Sequence, residues 1–133
     1  MSELPEEIAI LLTKAARDLK AATGLLGDDD LLDVVCFHAQ QAAEKALKAL
    51  LVACGVRYPY RHDLDELLEL LPEIPLELAT IRDELSALTP FATTERYEEV
   101  LRPSRDEATT ALATARQVHD VVTDQLCMPP KTG

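Results

Sequence analysis

Residues 37–51 read FHAQQAAEKALKALL and lie within a longer apolar stretch from Leu31 to Cys54. At about 100° per residue, one broad face of a helix over this stretch carries Ala and Leu side chains: Leu32, Ala39, Ala42, Ala43, Ala46, Leu47, Leu50 and Ala53. The opposite side carries a narrow stripe of polar and basic side chains: His38, Gln41, Lys45 and Lys48. A helix that is apolar over most of its circumference is typical of the middle of a bundle or of a subunit interface. The stretch therefore predicts a central helix, which Gly55 ends.

The sequence on either side of this helix predicts four more helices, because apolar residues recur there at helical spacing. They cover residues 5–26, 64–71 and 76–88, and a last helix begins at Pro103 or Ser104. Asp63 is the expected N-cap of the third helix, and residues 91–102 have no assigned structure. No strand pattern or internal repeat is present. We predict an all-α, five-helix up-and-down bundle as a single domain over residues 1–127, followed by a disordered tail over residues 128–133.

The charge of the chain restricts its partners. Its 133 residues include 24 acidic and 13 basic residues, which give a net charge of −11. Such a chain repels nucleic acid, so non-specific DNA binding is not expected. Charged residues interrupt the longest apolar stretch, which argues against a membrane span, and the acidic N-terminal segment lacks the pattern of a signal peptide. We therefore expect a cytoplasmic protein.

The three cysteines Cys36, Cys54 and Cys127 are an odd number and show no Cys-x-x-Cys spacing. A disulfide framework and a zinc site are therefore not expected, and free thiols in a reducing cytoplasm are the simpler interpretation. No cofactor and no metal ion are predicted.

Three parts of the sequence together resemble the HEPN family (higher eukaryotes and prokaryotes nucleotide-binding domains), of the nucleotidyltransferase-associated type. They are CFHAQQAAEKALKALL over residues 36–51, HDLDELLELL over residues 62–71 after a Gly and a Tyr-Pro pair, and the later Arg96-Tyr97 pair. The resemblance extends from about Ile8 to Val122. It implies a five-helix bundle that is commonly a homodimer and is often encoded beside a minimal nucleotidyltransferase, in some cases as a toxin–antitoxin pair.

The toxin members of the HEPN family are metal-independent ribonucleases, whose motif is an Arg followed, after four to six residues, by a His near the last long helix. Arg116 and His119 lie in the predicted last helix, but only two residues separate them. Arg57 and His62 have the required spacing, but they lie before the third helix. We therefore assign no catalytic residue and predict a binding module rather than an enzyme. The alternative is a ribonuclease with a displaced Arg/His centre.

A ligand site is predicted from the polar stripe, from the loop VRYPYRHD over residues 56–63, and from the Arg-Tyr pair. Its candidate residues are His38, Gln41, Lys45, Arg57, Tyr58, Arg61, His62, Arg96 and Tyr97. The cationic groups would hold phosphates of a nucleotide or RNA, a Tyr would stack on a base, and Gln41 would bond a base or ribose. In the alternative interpretation the same side chains bond neighbouring helices and carboxylates, or extend to water.

A second hypothesis is that the domain is an interaction module. The apolar circumference of the central helix favours a homodimer, and the acidic surface favours a basic partner such as a minimal nucleotidyltransferase.

Overall fold

The computed structural model describes residues 5–60, 62–92 and 102–127. Within these ranges the chain forms six α-helices and two 3-10 turns and no strand, so the predicted all-α bundle is confirmed. The helices are α1 (Glu6–Leu25), α2 (Leu32–Ala53), α3 (Leu64–Glu69), α4 (Leu76–Ala79), α5 (Arg82–Ser86) and α6 (Arg105–Cys127). The 3-10 turns cover Asp29–Leu31 and Thr89–Phe91. The predicted disordered tail lies outside the described residues.

Helix α2 lies at the centre of the bundle, between α1 and α6. More than half of its 22 residues are buried. The predicted Ala- and Leu-rich face is buried except for Ala53, which is exposed at the C-terminal end of the helix. Small Ala side chains let the neighbouring helices approach closely, so that Leu47 and Leu51 are fully enclosed. Among the described residues, no helix is long and apolar enough to cross a membrane.

The relative directions of the long helices follow from polar contacts between them. Asp18 of α1 contacts both His38 and Lys45 of α2, and the start of α1 lies beside the end of α2. Arg105, the first residue of α6, donates to the carbonyl of Leu26 just after α1, at 2.5 Å. Helix α1 therefore runs antiparallel to α2, and α6 begins beside the end of α1.

Local signals end α2 and begin α6 as the sequence predicts. After α2, Gly55 has φ 73°, its N–H donates to the carbonyl of Val52, and the N–H of Val56 donates to the carbonyl of Leu51. These two bonds form a Schellman motif, in which glycine takes the left-handed conformation without steric cost. Before α6, Ser104 and Glu107 exchange two hydrogen bonds of 3.1 Å and form a capping box.

The connection between α2 and α6 differs from the prediction in one respect. Asp63 caps α3 as predicted, since its side chain accepts from the backbone N–H groups of Asp65 and Glu66. The single helix predicted over residues 76–88 is instead divided into α4 and α5. The hydroxyl of Thr80 donates to the carbonyl of Glu77, and Ile81 leaves the helical region with φ −110° and ψ 21°. Two adjacent β-branched residues and this side-chain bond interrupt the helical hydrogen-bond pattern there.

Candidate functional site

The polar stripe of α2 belongs to two separate clusters, of which the first is centred on Asp18 of α1. One carboxylate oxygen of Asp18 lies 2.9 Å from Nδ1 of His38, and the other lies 2.5 Å from Nζ of Lys45. The Asp18 side chain is 12% exposed, whereas those of His38 and Lys45 are 27% and 24% exposed. The carboxylate is therefore the inner member of the cluster, and the two basic groups lie between it and solvent.

A cleft of about 290 Å³, here called the α1–α2 cleft, opens directly over this cluster. Its lining comprises Lys14, Arg17, Asp18, Ala21, His38 and Lys45. Basic Lys and Arg side chains outnumber carboxylates three to one in this lining, on a chain with a net charge of −11. Neither Lys14 nor Arg17 has an ion-pair or hydrogen-bond partner among the described residues. The cleft therefore combines two cations, neither of them paired with a described residue, with a basic pair that Asp18 holds in place.

The second cluster surrounds Glu44, which has a 4% exposed side chain in the middle of α2. Oε2 of Glu44 accepts from Nζ of Lys48 at 2.9 Å, and Oε1 lies 2.8 Å from Nδ1 of His62 and accepts from Nε2 of Gln40 at 3.1 Å. Gln40 also donates to the carbonyl of His62, and Gln41 donates to Oε1 of Gln40 at 2.7 Å. This network joins α2 to the loop before α3.

Two opposing effects act on the Glu44 carboxyl. Burial raises its pKa, but hydrogen bonds from Lys48, Gln40 and His62 together outweigh burial, and the pKa lies below its usual value. The carboxylate is therefore ionised at neutral pH. The polar groups of the Glu44 network bond to one another and to the loop before α3. The network is therefore best explained as a structural support for that loop.

A second cleft, of about 510 Å³ and here called the loop groove, lies where the start of α1 meets the end of α2. Its lining includes Glu7, Val52, Arg57, Tyr58 and Tyr60. Nζ of Lys48 lies 5.0 Å from the centroid of the Tyr58 ring, a cation–π contact that orients the ring. Burial and the charge of Glu7 raise the pKa of Tyr58, so its phenol stays neutral.

The six predicted site residues that the structure describes are not brought together into one cavity. His38 and Lys45 line the α1–α2 cleft, Arg57 and Tyr58 line the loop groove, and Gln41 and His62 belong to the Glu44 network. The two clefts follow the same α1–α2 seam, and Lys45 of the first and Val52 of the second, seven positions apart, are separated by about 10 Å along α2. Arg61, Arg96 and Tyr97 lie outside the described residues.

Five polar residues of these clusters and of the α1–α2 cleft were in neither the predicted stripe nor the predicted site: Lys14, Arg17, Asp18, Gln40 and Glu44. Lys14, Arg17 and Asp18 occur at the three- and four-residue spacing of one face of α1. The sequence therefore contained a signal that these three side chains lie together. Gln40, Glu44 and Lys48 share the same four-residue spacing on α2. No sequence signal, however, links Asp18 to Lys45, which lies 27 residues away.

Two of the residues considered for a ribonuclease centre, Arg116 and His62, have other contacts. Arg116 donates to the hydroxyl of Thr23 at 2.6 Å, and His62 contacts Glu44 rather than lining the loop groove with Arg57. Burial, with the nearby charges of Glu107 and Asp33, raises the pKa of the Cys36 thiol to about 11, so this thiol stays protonated. Among the described residues, no group of three or more His, Cys, Asp or Glu side chains is placed to hold a metal ion.

Comparison with known proteins assigns the family. The sequence profile of the HEPN domain matches residues 8–125, nearly the whole described bundle. The chain belongs to the HEPN domain family. The solved structure of TT1696 from Thermus thermophilus is 30% identical to it, with a TM-score of 0.75 over 91% of this chain and 99% of that one. ST0689, described as an archaeal HEPN homologue, shares the fold, with 24% identity and a TM-score of 0.72 over 90% of this chain and 97% of that one. The comparison with curated proteins found no match.

Membership of the HEPN family confirms the resemblance that the α2 motif indicated. The homodimer, the nucleotidyltransferase partner, the cytoplasmic location and the displaced ribonuclease centre stay predictions.

Proposed function

We propose that this HEPN domain is a binding module for a phosphate-bearing ligand of the nucleotide class, which it holds in the α1–α2 cleft. The observation that carries the proposal is the convergence of Lys14, Arg17 and Lys45 on one cleft of an otherwise acidic protein. A local excess of positive charge reduces the repulsion that this strongly negative chain otherwise exerts on phosphate. An anion should therefore bind most favourably at this cleft.

Each basic group has a distinct role in this proposal. The Arg17 guanidinium and the Lys14 ammonium donate to phosphate oxygens, since neither is committed elsewhere among the described residues. Lys45 shares its three N–H donors between Asp18 and the ligand, and His38 is oriented by Asp18 in the same way. The Asp18 carboxylate positions these two groups and prevents them from extending into water.

The size of the cleft indicates which part of the ligand it accepts. Its volume of about 290 Å³ lies at the lower end of the range for ligand pockets, which fits a phosphate group and a sugar better than a whole nucleotide. The loop groove continues the same seam, and there Tyr58 offers an aromatic face and Arg57 a further cation. In this proposal a base attached to the bound phosphate extends along the seam toward Tyr58, on which it stacks.

The proposal is tested by isothermal titration of the protein with ATP, GTP, AMP and inorganic phosphate. We expect binding that weakens as salt increases, and Kd about tenfold higher for Lys14→Gln and for Arg17→Gln, because each removes one charge-assisted hydrogen bond. The matched control is Lys20→Gln, an exposed α1 residue outside the cleft lining, which should leave Kd unchanged. No binding of any of these ligands at millimolar concentration, or equal losses in all three variants, would refute the proposal.

A further inference from the structure

A third cavity, here called the α5–α6 groove, lies between α5 with its following 3-10 turn and the first half of α6. Its volume is about 280 Å³. Ala87, Leu88, Phe91 and Ala111 form an apolar floor, and Thr110 and Thr114 add methyl groups along α6. The α6 residues of the lining extend from Asp106 to Thr114, about 12 Å or slightly more than two helical turns.

The described residues cover the floor of the α5–α6 groove only in part, because the opposing helix is short. Helix α5 has five residues against 23 in α6, so one turn of α5 and the 3-10 turn face a much longer helix. Phe91 stays half-buried and Ala87 is exposed, while Leu88 and Ala111 beneath them are buried. This leaves room for an aliphatic side chain on an apolar surface.

The rim of the groove is acidic. Glu84, Asp106 and Glu107 line it, and all three are exposed. Neither Glu84 nor Asp106 has an ion-pair partner among the described residues, and Glu107 uses Oε1 in the α6 capping box. The basic residue next to Asp106, Arg105, is paired with Asp29 and with the carbonyl of Leu26. The negative charge at the rim is therefore not neutralised by the described part of the bundle.

We propose that the α5–α6 groove docks an amphipathic basic segment of another protein, which places an aliphatic side chain on the apolar floor and Lys or Arg beside Glu84 and Asp106. Charge complementarity selects this occupant. Carboxylates at the rim repel phosphate and so oppose nucleic acid. At this acidic rim a basic segment is also a better electrostatic match than a second copy of this chain, whose net charge is −11. The groove shares no lining residue with the α1–α2 cleft, so the docking proposal does not depend on phosphate binding.

The test uses the full chain and a fluorescein-labelled helical peptide of about 14 residues, with Leu at positions i, i+4 and i+7 and Lys at most others. Binding is followed by fluorescence anisotropy, beside a peptide of the same composition with scrambled order. We expect saturable binding of the amphipathic peptide and at least about tenfold weaker binding of the scrambled one. In the double variant with Glu84→Lys and Asp106→Lys, we expect binding to weaken about tenfold. Thr110→Trp, which fills the groove without changing charge, should have a similar effect.

The matched control is a double variant with Glu73→Lys and Asp124→Lys, two exposed carboxylates outside the groove that give the same change in net charge. It should bind the peptide like the unaltered protein, apart from a small uniform loss that added salt removes. Equal weakening in both double variants would mean general attraction to an acidic protein and would overturn the proposal. Absence of peptide binding would also overturn the proposal, whatever its cause. One such cause would be that other residues of this chain already fill the groove. Amide chemical shifts of Ala87 and Ala111 should move on binding, and shifts confined elsewhere would count against the groove.

Discussion

At the scale of single residues, Glu44 shows how one buried charge organises a loop. It lies within the most apolar helix, yet its carboxylate has three side-chain partners, from Lys48, Gln40 and His62. A buried carboxylate is tolerated only when its oxygens are satisfied in this way. Gln40, Glu44 and Lys48 lie on successive turns of α2 and together hold the segment that leads into α3. This role explains why polar side chains occur within an apolar central helix.

The pH dependence of stability should report on Glu44. Its pKa is lowered in the folded protein from the usual value of 4.5, so the ionised group contributes stability that is complete above this value and lost as pH falls through the lowered pKa. We expect Glu44→Gln to lower the free energy of unfolding by about 1–3 kcal/mol at pH 7. The difference from the unaltered protein should shrink as pH falls below about 4.5. Urea unfolding at a series of pH values measures it.

Glu73→Gln provides the comparison, because Glu73 is exposed in the connection before α4. It should change the free energy of unfolding little at any pH. A Glu44→Gln effect that stays constant down to acid pH would show that the carboxylate is not stabilised in its ionised form.

At the scale of elements, the ends of the helices determine the positions of the residues that line the loop groove. The left-handed Gly55 ends α2 and directs the chain into the loop that carries Arg57 and Tyr58, and Asp63 begins α3 after that loop. The described residues of the loop form no regular hydrogen-bond pattern of their own, so the position of the loop depends on these two caps and on the Glu44 network. The interruption at Thr80 and Ile81 separates α4 from the five-residue helix α5, and the C-terminal part of α5 with the following residues lines the α5–α6 groove.

Replacement of two glycines by alanine should have opposite effects. Gly55→Ala forces a Cβ into φ 73°, so we expect a loss of about 1 kcal/mol in the free energy of unfolding, although no atom lies within 4 Å of the added group. Gly24→Ala lies in α1, where φ is not positive and the space is also free, and it should stabilise the protein by about 0.5 kcal/mol. Chemical denaturation distinguishes the two, and a neutral Gly55→Ala would contradict the Schellman assignment.

At the scale of the whole molecule, the dominant electrostatic feature is the excess of 11 negative charges on a chain of 133 residues. Mutual repulsion among exposed carboxylates opposes compaction. The exposed ion pairs, such as Arg105 with Asp29, contribute little against it because water screens them. On this acidic surface the α1–α2 cleft is a local region of positive charge. The same negative charge is the basis of the basic partner that we propose for the α5–α6 groove.

Moderate salt should therefore stabilise this protein. Raising NaCl from about 0.01 M to about 0.15 M shortens the screening length from roughly 30 Å to roughly 8 Å, and we expect Tm to rise by about 2–4 °C. Thermal unfolding followed by circular dichroism measures the change. The Glu73→Lys and Asp124→Lys double variant should have a higher Tm at low salt and a smaller response. A fall in Tm with salt would show that the ion pairs outweigh the repulsion.

The sequence by itself determined the features that depend on neighbouring residues. The rotation of side chains about α2, the Gly55 and Asp63 caps and the α2 motif all lie within short segments, and all agree with the structure or with the HEPN family assignment. A helix cap or an apolar face depends on residues within a few positions of one another, so its physical basis can be read along the chain.

Only the tertiary structure decided which polar groups meet. The stripe on α2 was predicted to form one site, but the antiparallel packing of α1 gives His38 and Lys45 to Asp18, while the loop before α3 gives His62 to Glu44. These pairings join residues 18 to 27 positions apart, and they depend on the relative position of helices that the core brings together. Burial of Glu44 and exposure of the α5–α6 groove depend on the same packing, because a side chain is enclosed only by the elements that surround it.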